Sequence, residues 1–237
     1  MLLRDRAKQA EYFDGLARTP DELRAHYGAL GRMNRFIRFE RPFRYWLPRI
    51  LCRETCQNLS FLDLGAADGL LGRELASWAD RQGWIWRFTN LDLCPFTAEL
   101  DPAPRHITGS VTALPFGDGS FDVVTASMMT HHLNSDAEVI AHFAEAARVA
   151  RRAVLICDLH RNPFFLLGLR MMLRCMSVPQ EFREDGALSV RRGWRVPEWE
   201  RLVKSASLKG ATVWFEHGTR ILLSVVKQPT LGIGAEP

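Results

Sequence analysis

The chain is poor in the cysteine patterns that hold disulfides or metals. It has five cysteines in 237 residues, an odd number, and no two of them have C-x-x-C spacing. An odd set of scattered thiols is typical of a reducing compartment, where cysteine packs as a small apolar residue. We therefore expect free thiols, no cysteine-based zinc site and a cytoplasmic location.

Long apolar runs and a strong charge of one sign are also missing. The longest apolar run, FFLLGLRMMLRCM at 164–176, is too short to cross a bilayer and contains two arginines. No signal peptide is visible, because residues 1–10 are charged rather than apolar. The net charge is only +4, which does not require a polyanionic partner. We expect no transmembrane segment and no nucleic-acid partner.

Strand-like and helix-like segments alternate after residue 57. The strand-like runs are Phe61–Leu64, Trp86–Leu91, His106–Thr108, Val123–Ala126, Val154–Cys157, Thr212–Glu216 and Ile221–Val226. The segments between the first five, such as 70–80 and 137–149, have helical composition. Alternation of this kind predicts an α/β fold with a Rossmann-like, doubly wound and mostly parallel seven-stranded sheet. The last two runs predict an antiparallel C-terminal hairpin.

The segment before the sheet is expected to be helical. Thr19, Pro20 and the two acids after them resemble a helix start, and the apolar residues that follow are mostly spaced three or four apart. We therefore predict a helical N-terminal cap at 1–56. The main domain follows at 57–228 with a cap insert around 161–195, and a flexible tail at 229–237.

A cluster of small residues follows the first predicted strand, in FLDLGAADGLLG at 61–72. Glycine and alanine at Gly65, Ala67 and Gly69 allow a backbone turn that approaches a ligand closely. Asp63 lies just before this turn, and a carboxylate there disfavours a pyrophosphate but suits an ammonium group. Together with the missing G-x-G-x-x-G pattern, it argues against a nicotinamide dinucleotide.

The second predicted strand ends in Asp92, within WRFTNLDLCP at 86–95. It lies some twenty residues after the small-residue turn, and at that offset a carboxylate can accept hydrogen bonds from both hydroxyls of a ribose. A helix cap or turn before Pro95 is the alternative. The preceding motif favours the ribose interpretation.

A third stretch with a recognisable pattern is GSVTALPFGDGSFDVVTASMMTHHL at 109–133, and it follows the stretches at 61–72 and 86–95. In this order and spacing, the three stretches resemble the class I S-adenosylmethionine-dependent methyltransferases, in particular the ubiquinone/menaquinone-type small-molecule branch. CDLHR at 157–161, DGALSVRRGW at 185–194 and MNR at 33–35 are similar to a bacterial subgroup of natural-product tailoring enzymes. That subgroup is associated with polyketide and phenolic-lipid pathways.

The resemblance implies S-adenosylmethionine as cofactor. Asp63 would lie near its amino group, Asp92 would bind the ribose, and Leu93 would flank the adenine. Ser110 occupies a position where the family often has an aspartate, and Ala67 replaces a glycine. The implied cofactor-binding residues are Asp63, Gly65, Ala66, Ala67, Gly69, Asp92, Leu93, Ser110, Val111 and Ser127.

Three histidines are candidates for the acceptor side of the site. His131 and His132 follow the fourth predicted strand, and His160 follows the fifth. A neutral imidazole can take a proton from a phenol, so we favour His132 as the base or orienting group, with His131 second. A divalent metal held by His132, Asp158 and His160 is the alternative. Nothing in the spacing requires one, so no metal is predicted.

The acceptor predicted from these features is a small aromatic or polyketide-like molecule, methylated on oxygen. The loop after the fourth strand reads SMMT, which lacks the Asn/Asp-Pro-Pro-aromatic pattern of base and amide nitrogen methylation. Cys157 lies inside a strand, unlike the nucleophile of pyrimidine methylation. Met171, Met172 and Met176 are expected to form an adaptable wall of the acceptor pocket. The alternatives are methylation of a ring carbon, an RNA methyltransferase and a non-catalytic cofactor-binding partner.

Overall fold

The fold is a seven-stranded sheet with helices on both faces. A computed structural model describes residues 3–14, 19–52, 55–100, 105–176, 178–216 and 218–227, without the side chain of Phe13. The strands are β1 Asn58–Leu64, β2 Ile85–Asp92, β3 His106–Thr108, β4 Phe121–Ser127, β5 Ala150–Leu159, β6 Ala211–Glu216 and β7 Arg220–Val226. Their order is β3-β2-β1-β4-β5-β7-β6. The first five strands run parallel, while β7 is antiparallel to both β5 and β6, so the predicted fold class is confirmed.

Eight α-helices and two short 3-10 turns lie within the described ranges. The helices are α1 Pro20–Phe36, α2 Arg41–Ile50, α3 Leu70–Asp80, α4 Thr97–Leu100, α5 Asp136–Val149, α6 Pro163–Cys175, α7 Gln180–Arg192 and α8 Val196–Ser205. The 3-10 turns are Tyr12–Asp14 and Thr130–His132. Thr19 begins α1 as predicted, because its hydroxyl accepts a hydrogen bond from the Glu22 amide while the Glu22 carboxylate accepts one from the Thr19 amide.

The two faces of the sheet have separate apolar cores. Leu62 and Leu64 of β1 belong to the core that α5 and α8 cover, whereas Leu59 and Phe61 belong to the core that α2 and α3 cover. Alternate residues of a strand point to opposite faces, so one strand supplies both cores. Helix α2 therefore packs on the sheet.

A third apolar cluster joins α1, α6 and α7 at the end of β5. It contains Met33, Leu169 and Phe182, and it includes Leu159, the last residue of β5. The predicted cap is thus divided in two, since α1 joins the insert helices and α2 joins the sheet. The domain limits stay a prediction, and the proposed tail at 229–237 lies outside the described residues. Within the described ranges, no helix has the length and apolar character needed to cross a bilayer.

Candidate active site

A cavity of about 1620 Å³ opens where β1, β2 and β4 end, beneath α1, α6 and α7. The strand order reverses between β1 and β4, and ligands of open α/β sheets bind outside the strand ends at such a point. The predicted site residues that line the cavity are Asp63, Gly65, Ala66, Ala67, Asp92, Leu93, Ser110, Val111, Ser127, His131 and His132. Gly69 and His160 do not.

The small-residue turn folds back over the end of β2. The amides of Gly65 and Ala66 donate to the carbonyl of Leu91 at 2.8 and 3.1 Å. Gly65 has φ +65°, and a Cβ placed on it would lie 2.2 Å from Cγ of Met129, so this position requires glycine. Gly69, with φ +71°, lies at the N-terminus of α3. It shapes the turn without lining the cavity.

Asp92 ties the end of β2 to this turn. One carboxylate oxygen accepts from the Ala67 amide at 2.8 Å, and the other accepts from the Cys94 amide at 2.9 Å. Burial raises the pKa of Asp92, although these two amides act against the rise. An ionised carboxylate has lone pairs beyond those two bonds, so Asp92 can also accept from hydroxyls in the cavity.

Asp63 and Ser127 end β1 and β4 at the same edge of the cavity. The side chain of Asp63 is buried and accepts a hydrogen bond from the Thr125 hydroxyl at 2.9 Å. The hydroxyl oxygen of Ser127 is also buried, and it has no hydrogen-bond partner among the described residues. A buried hydroxyl without a partner at a cavity wall is suited to a ligand.

Ser110 is engaged within its own turn. Its hydroxyl lies 2.8 Å from that of Thr112 and accepts from the Thr112 amide at 3.2 Å. Leu93 is 67% exposed and lines the cavity nearby. The hydroxyl of Ser110 therefore already has a partner within the described structure.

His131 is held by a buried aspartate of β5. Its amide donates to one oxygen of Asp158 at 2.7 Å, and its Nδ1 lies 2.6 Å from the other. Burial opposes the charge on Asp158, but His131 and the surrounding hydrogen bonds bring the pKa of this carboxyl below its usual value. Since an ionised carboxylate only accepts, Nδ1 of His131 carries a proton, and the tautomer with its lone pair on Nε2 is the one that this contact favours.

His132 has an equivalent arrangement with an acid from the N-terminus. Its Nδ1 lies 2.6 Å from Asp14, whose second oxygen accepts from Arg192 at 2.6 Å. Burial by itself lowers the pKa of His132, but the hydrogen bond to Asp14 and the charges of Glu11 and Asp14 outweigh it, and the pKa is raised. Two histidine–carboxylate pairs thus lie side by side, with ring centroids 4.3 Å apart.

Residues 3–14, here called the N-terminal strap, are part of the site. Arg6 donates to the carbonyls of His131 and Leu133 at 2.5 and 2.7 Å, and the Tyr12 amide donates to Asp185 at 2.7 Å. The cavity lining from the strap is Ala10, Glu11 and Asp14. Sequence reasoning missed these acids because nothing in their local sequence marks them.

Arg192 holds the strap and the histidine turn together. Its buried guanidinium donates to the carbonyls of His131 and His132 at 3.0 and 2.8 Å, in addition to Asp14. Arg192 belongs to the DGALSVRRGW stretch, and so does Asp185, which the strap also contacts. This stretch was therefore the available sequence signal for the acids that were missed, because two of its residues contact the strap that carries them.

Three expectations for the acceptor side need correction. His160 does not reach the cavity, since its ring packs on Phe215 with centroids 4.5 Å apart. Asp158, which was grouped with His160 and His132 as a possible metal set, pairs with His131 instead. Of the three methionines expected in the pocket wall, only Met172 lines the cavity, and Met171 is 63% exposed.

Comparisons with known proteins agree with this geometry. Residues 62–157 match the family model described as a methyltransferase domain. No curated protein matches the sequence significantly.

Several solved structures share the fold. A Methanococcus maripaludis protein described as an S-adenosyl-L-methionine-dependent methyltransferase has a TM-score of 0.60 at 13% identity, covering 96% of this chain and 100% of its own. A SAM-dependent methyltransferase from Aquifex aeolicus has a TM-score of 0.53 at 14% identity, and the match covers 88% of this chain and 100% of that protein. Magnesium protoporphyrin IX methyltransferase from Synechocystis PCC 6803 with bound SAH has a TM-score of 0.51 at 13% identity, and the match covers 80% of this chain and 83% of that protein.

The residues at the strand ends fit S-adenosylmethionine. Asp63 supplies a buried carboxylate for an ammonium group, Asp92 supplies acceptors for a ribose, and the Ser127 hydroxyl lacks a protein partner in the described structure. Residues 62–157 match a methyltransferase domain, and the cofactor of this enzyme is S-adenosylmethionine.

Proposed function

We propose that this S-adenosylmethionine-dependent methyltransferase methylates a hydroxyl oxygen of a small aromatic or polyketide-like acceptor that carries a sizeable apolar part. The observation that carries the proposal is one continuous cavity with two different ends. The end at β1 and β2 is acidic and formed by backbone turns, whereas the far wall is formed by apolar side chains of α1, α6 and α7.

The acidic end holds the cofactor. Asp63 binds the ammonium group, Asp92 accepts hydrogen bonds from the ribose hydroxyls, and the turn at 65–69 keeps the backbone close to the methionine part. S-adenosylmethionine supplies a methyl group on a positively charged sulfur. Tyr27 lies over this end of the cavity, and burial raises the pKa of its phenol, so it stays neutral there.

The far wall selects the acceptor. Apolar side chains from three helices form it, namely Leu23, Leu30, Met33, Phe165, Leu169, Met172 and Phe182. His26 is a polar member of this wall, and burial lowers its pKa to about 4, so it is uncharged at neutral pH. A largely apolar wall of this kind favours an aromatic ring with a hydrophobic substituent over a sugar or a nucleotide.

The histidine turn faces the acceptor hydroxyl. The acceptor oxygen gives up its proton and forms a bond to the methyl carbon as the carbon–sulfur bond breaks, and that electron pair stays on sulfur. The products are a methyl ether, S-adenosylhomocysteine and one proton. His131 and His132 line the cavity and are the groups that we assign to accepting or directing that proton. All five cysteines are free, which supports a reducing compartment such as the cytoplasm.

The test is methyl transfer to a series of phenols with unbranched alkyl chains of increasing length. The cofactor carries a labelled methyl group, and each phenol is paired with its O-capped ether as a control. We expect labelled methyl ethers, a KM that falls as the chain lengthens, and no product from the capped controls. A ring-methylated product would overturn the choice of oxygen. Label transferred to RNA but to no phenol would overturn the small-molecule acceptor.

A further inference from the structure

We propose that Glu11, His131 and His132 form a binding site for one divalent transition-metal ion at the acceptor end of the cavity. One carboxylate oxygen of Glu11 and one ring nitrogen of each histidine lie within 4.8 Å of one another. All three residues line the same cavity. Two imidazoles and one carboxylate are a common ligand set for zinc and for non-haem iron.

The surroundings of the two histidines match those of metal ligands. Nδ1 of His131 lies 2.6 Å from Asp158, and Nδ1 of His132 lies 2.6 Å from Asp14. Metal-bound histidines usually donate their second N–H to a carboxylate or carbonyl, which fixes the ring and leaves the other nitrogen for the ion. Here both rings have such a carboxylate, and the two acids come from different parts of the chain.

Glu11 is positioned as a ligand. Its carboxylate lies 3.7 Å from Nε2 of His131, and its side chain is only 8% exposed. Ser189 donates to the same oxygen at 2.8 Å, which holds the carboxylate in place. Metal–ligand bonds of ~2.1 Å place tetrahedral ligand atoms ~3.4 Å apart. Small side-chain movements would therefore bring Glu11 and His131 to that separation.

The charge around the histidine turn favours a cation. Glu11, Asp14 and Asp158 contact the two rings, and Arg6 and Arg192 contact the turn's carbonyls. Among these groups, three carboxylates and two guanidinium groups leave one net negative charge when both imidazoles are in the neutral form that binds a metal ion. Imidazole ligands favour ions such as zinc, iron, cobalt and nickel over magnesium, which prefers oxygen ligands.

The role of the ion rests on the proposed function, whereas its binding does not. A cation at this end of the cavity would lower the pKa of an acceptor hydroxyl bound to it, and thus assist loss of the hydroxyl proton. This ligand set differs from the one considered in the sequence analysis, because Glu11 and His131 replace Asp158 and His160 beside His132. It also departs from the expectation that the site holds no metal.

The test uses untagged full-length protein stripped of metal with a chelator, then titrated calorimetrically with Zn²⁺. We expect one Zn²⁺ per chain, and at least tenfold weaker binding in Glu11→Gln and His132→Asn. Asp14→Asn, which changes the carboxylate that bonds to Nδ1 of His132 without removing a proposed ligand, should weaken binding by roughly 10–100-fold. His160→Asn is the matched control and should bind like the wild type, because its ring lies outside the cavity. Melting temperatures of the stripped variants check that each one folds.

The outcomes separate the two proposals. Absence of Zn²⁺ binding by the wild type would overturn the metal site. Binding of Zn²⁺ by Glu11→Gln and His132→Asn with the affinity of the wild type would also overturn it. Phenol methylation at full rate by stripped protein would overturn the role of the ion, while leaving the proposed function intact. Stoichiometric Zn²⁺ binding without methylation of any phenol would support the site and contradict the proposed acceptor.

Discussion

The two ends of the cavity are assembled in different ways. At the cofactor end, the Asp92 carboxylate bonds to the Ala67 amide, and these residues are only 25 positions apart. At the acceptor end, His132 pairs with Asp14 across 118 positions, and Arg6 bonds to the His131 carbonyl across 125. The cofactor end is formed by residues at the ends of neighbouring strands, whereas the acceptor end depends on how the strap packs against the histidine turn.

This difference has a physical origin. Neighbouring parallel strands end at the same edge, so residues at their ends meet once the sheet forms. The acceptor end instead gathers buried charges from the strap, the histidine turn and α7, and each charge loses hydration when it is buried. Such a cluster is stable only when its groups are paired, as Arg192 is with Asp14 and two carbonyls.

The largest expected effect comes from breaking the acceptor end at Arg192. Arg192→Met should lower the free energy of unfolding by about 3–5 kcal/mol, because it removes the buried cation that pairs with Asp14 and a donor to the carbonyls of His131 and His132. Chemical denaturation measures this. The control is Arg201→Met, which removes an exposed ion pair with Asp136 and should cost less than ~1 kcal/mol. Equal losses in the two variants would show that Arg192 does not hold this end together.

The second largest expected effect is at the cofactor end, at Asp92. Asp92→Asn should reduce the affinity for S-adenosylhomocysteine by about 1–3 kcal/mol, because charged hydrogen bonds to the ribose are lost. Titration calorimetry measures the change. Asp118→Asn is the control, since the Asp118 side chain is 82% exposed and does not line the cavity. Unchanged affinity in Asp92→Asn would remove the ribose role.

The smallest expected effect concerns two neighbouring methionines of α6, of which Met172 lines the acceptor end of the cavity and Met171 does not. Met172→Ala should raise the KM for an apolar phenol by roughly fivefold, about 1 kcal/mol of lost contact, with unchanged affinity for S-adenosylhomocysteine. Met171→Ala serves as the control, because Met171 is exposed and lies outside the cavity lining. A similar change in KM for both variants would place the acceptor elsewhere.

The cofactor end could be predicted largely from local sequence. The turn after β1 and the aspartate at the end of β2 are recognisable because the chain must turn where a strand ends, and small residues and acids mark that place. The location of His131 and His132 after β4 was predictable for the same reason. The carboxylates that pair with Nδ1 of these two histidines could not be predicted. Carboxylates are frequent in the sequence, and their order along the chain does not indicate which carboxylate will face a given ring.

The sequence by itself determined the alternation of strands and helices, the small-residue turn and the acids at the strand ends, because periodicity and turn residues act over short distances along the chain. Only the tertiary structure decided that Glu11 and Asp14 join the histidine turn, that Met172 faces the cavity while Met171 faces solvent, and that His160 packs against Phe215. Those outcomes depend on how the strap and the helices pack onto the sheet, and packing is set by contacts between residues far apart in the chain.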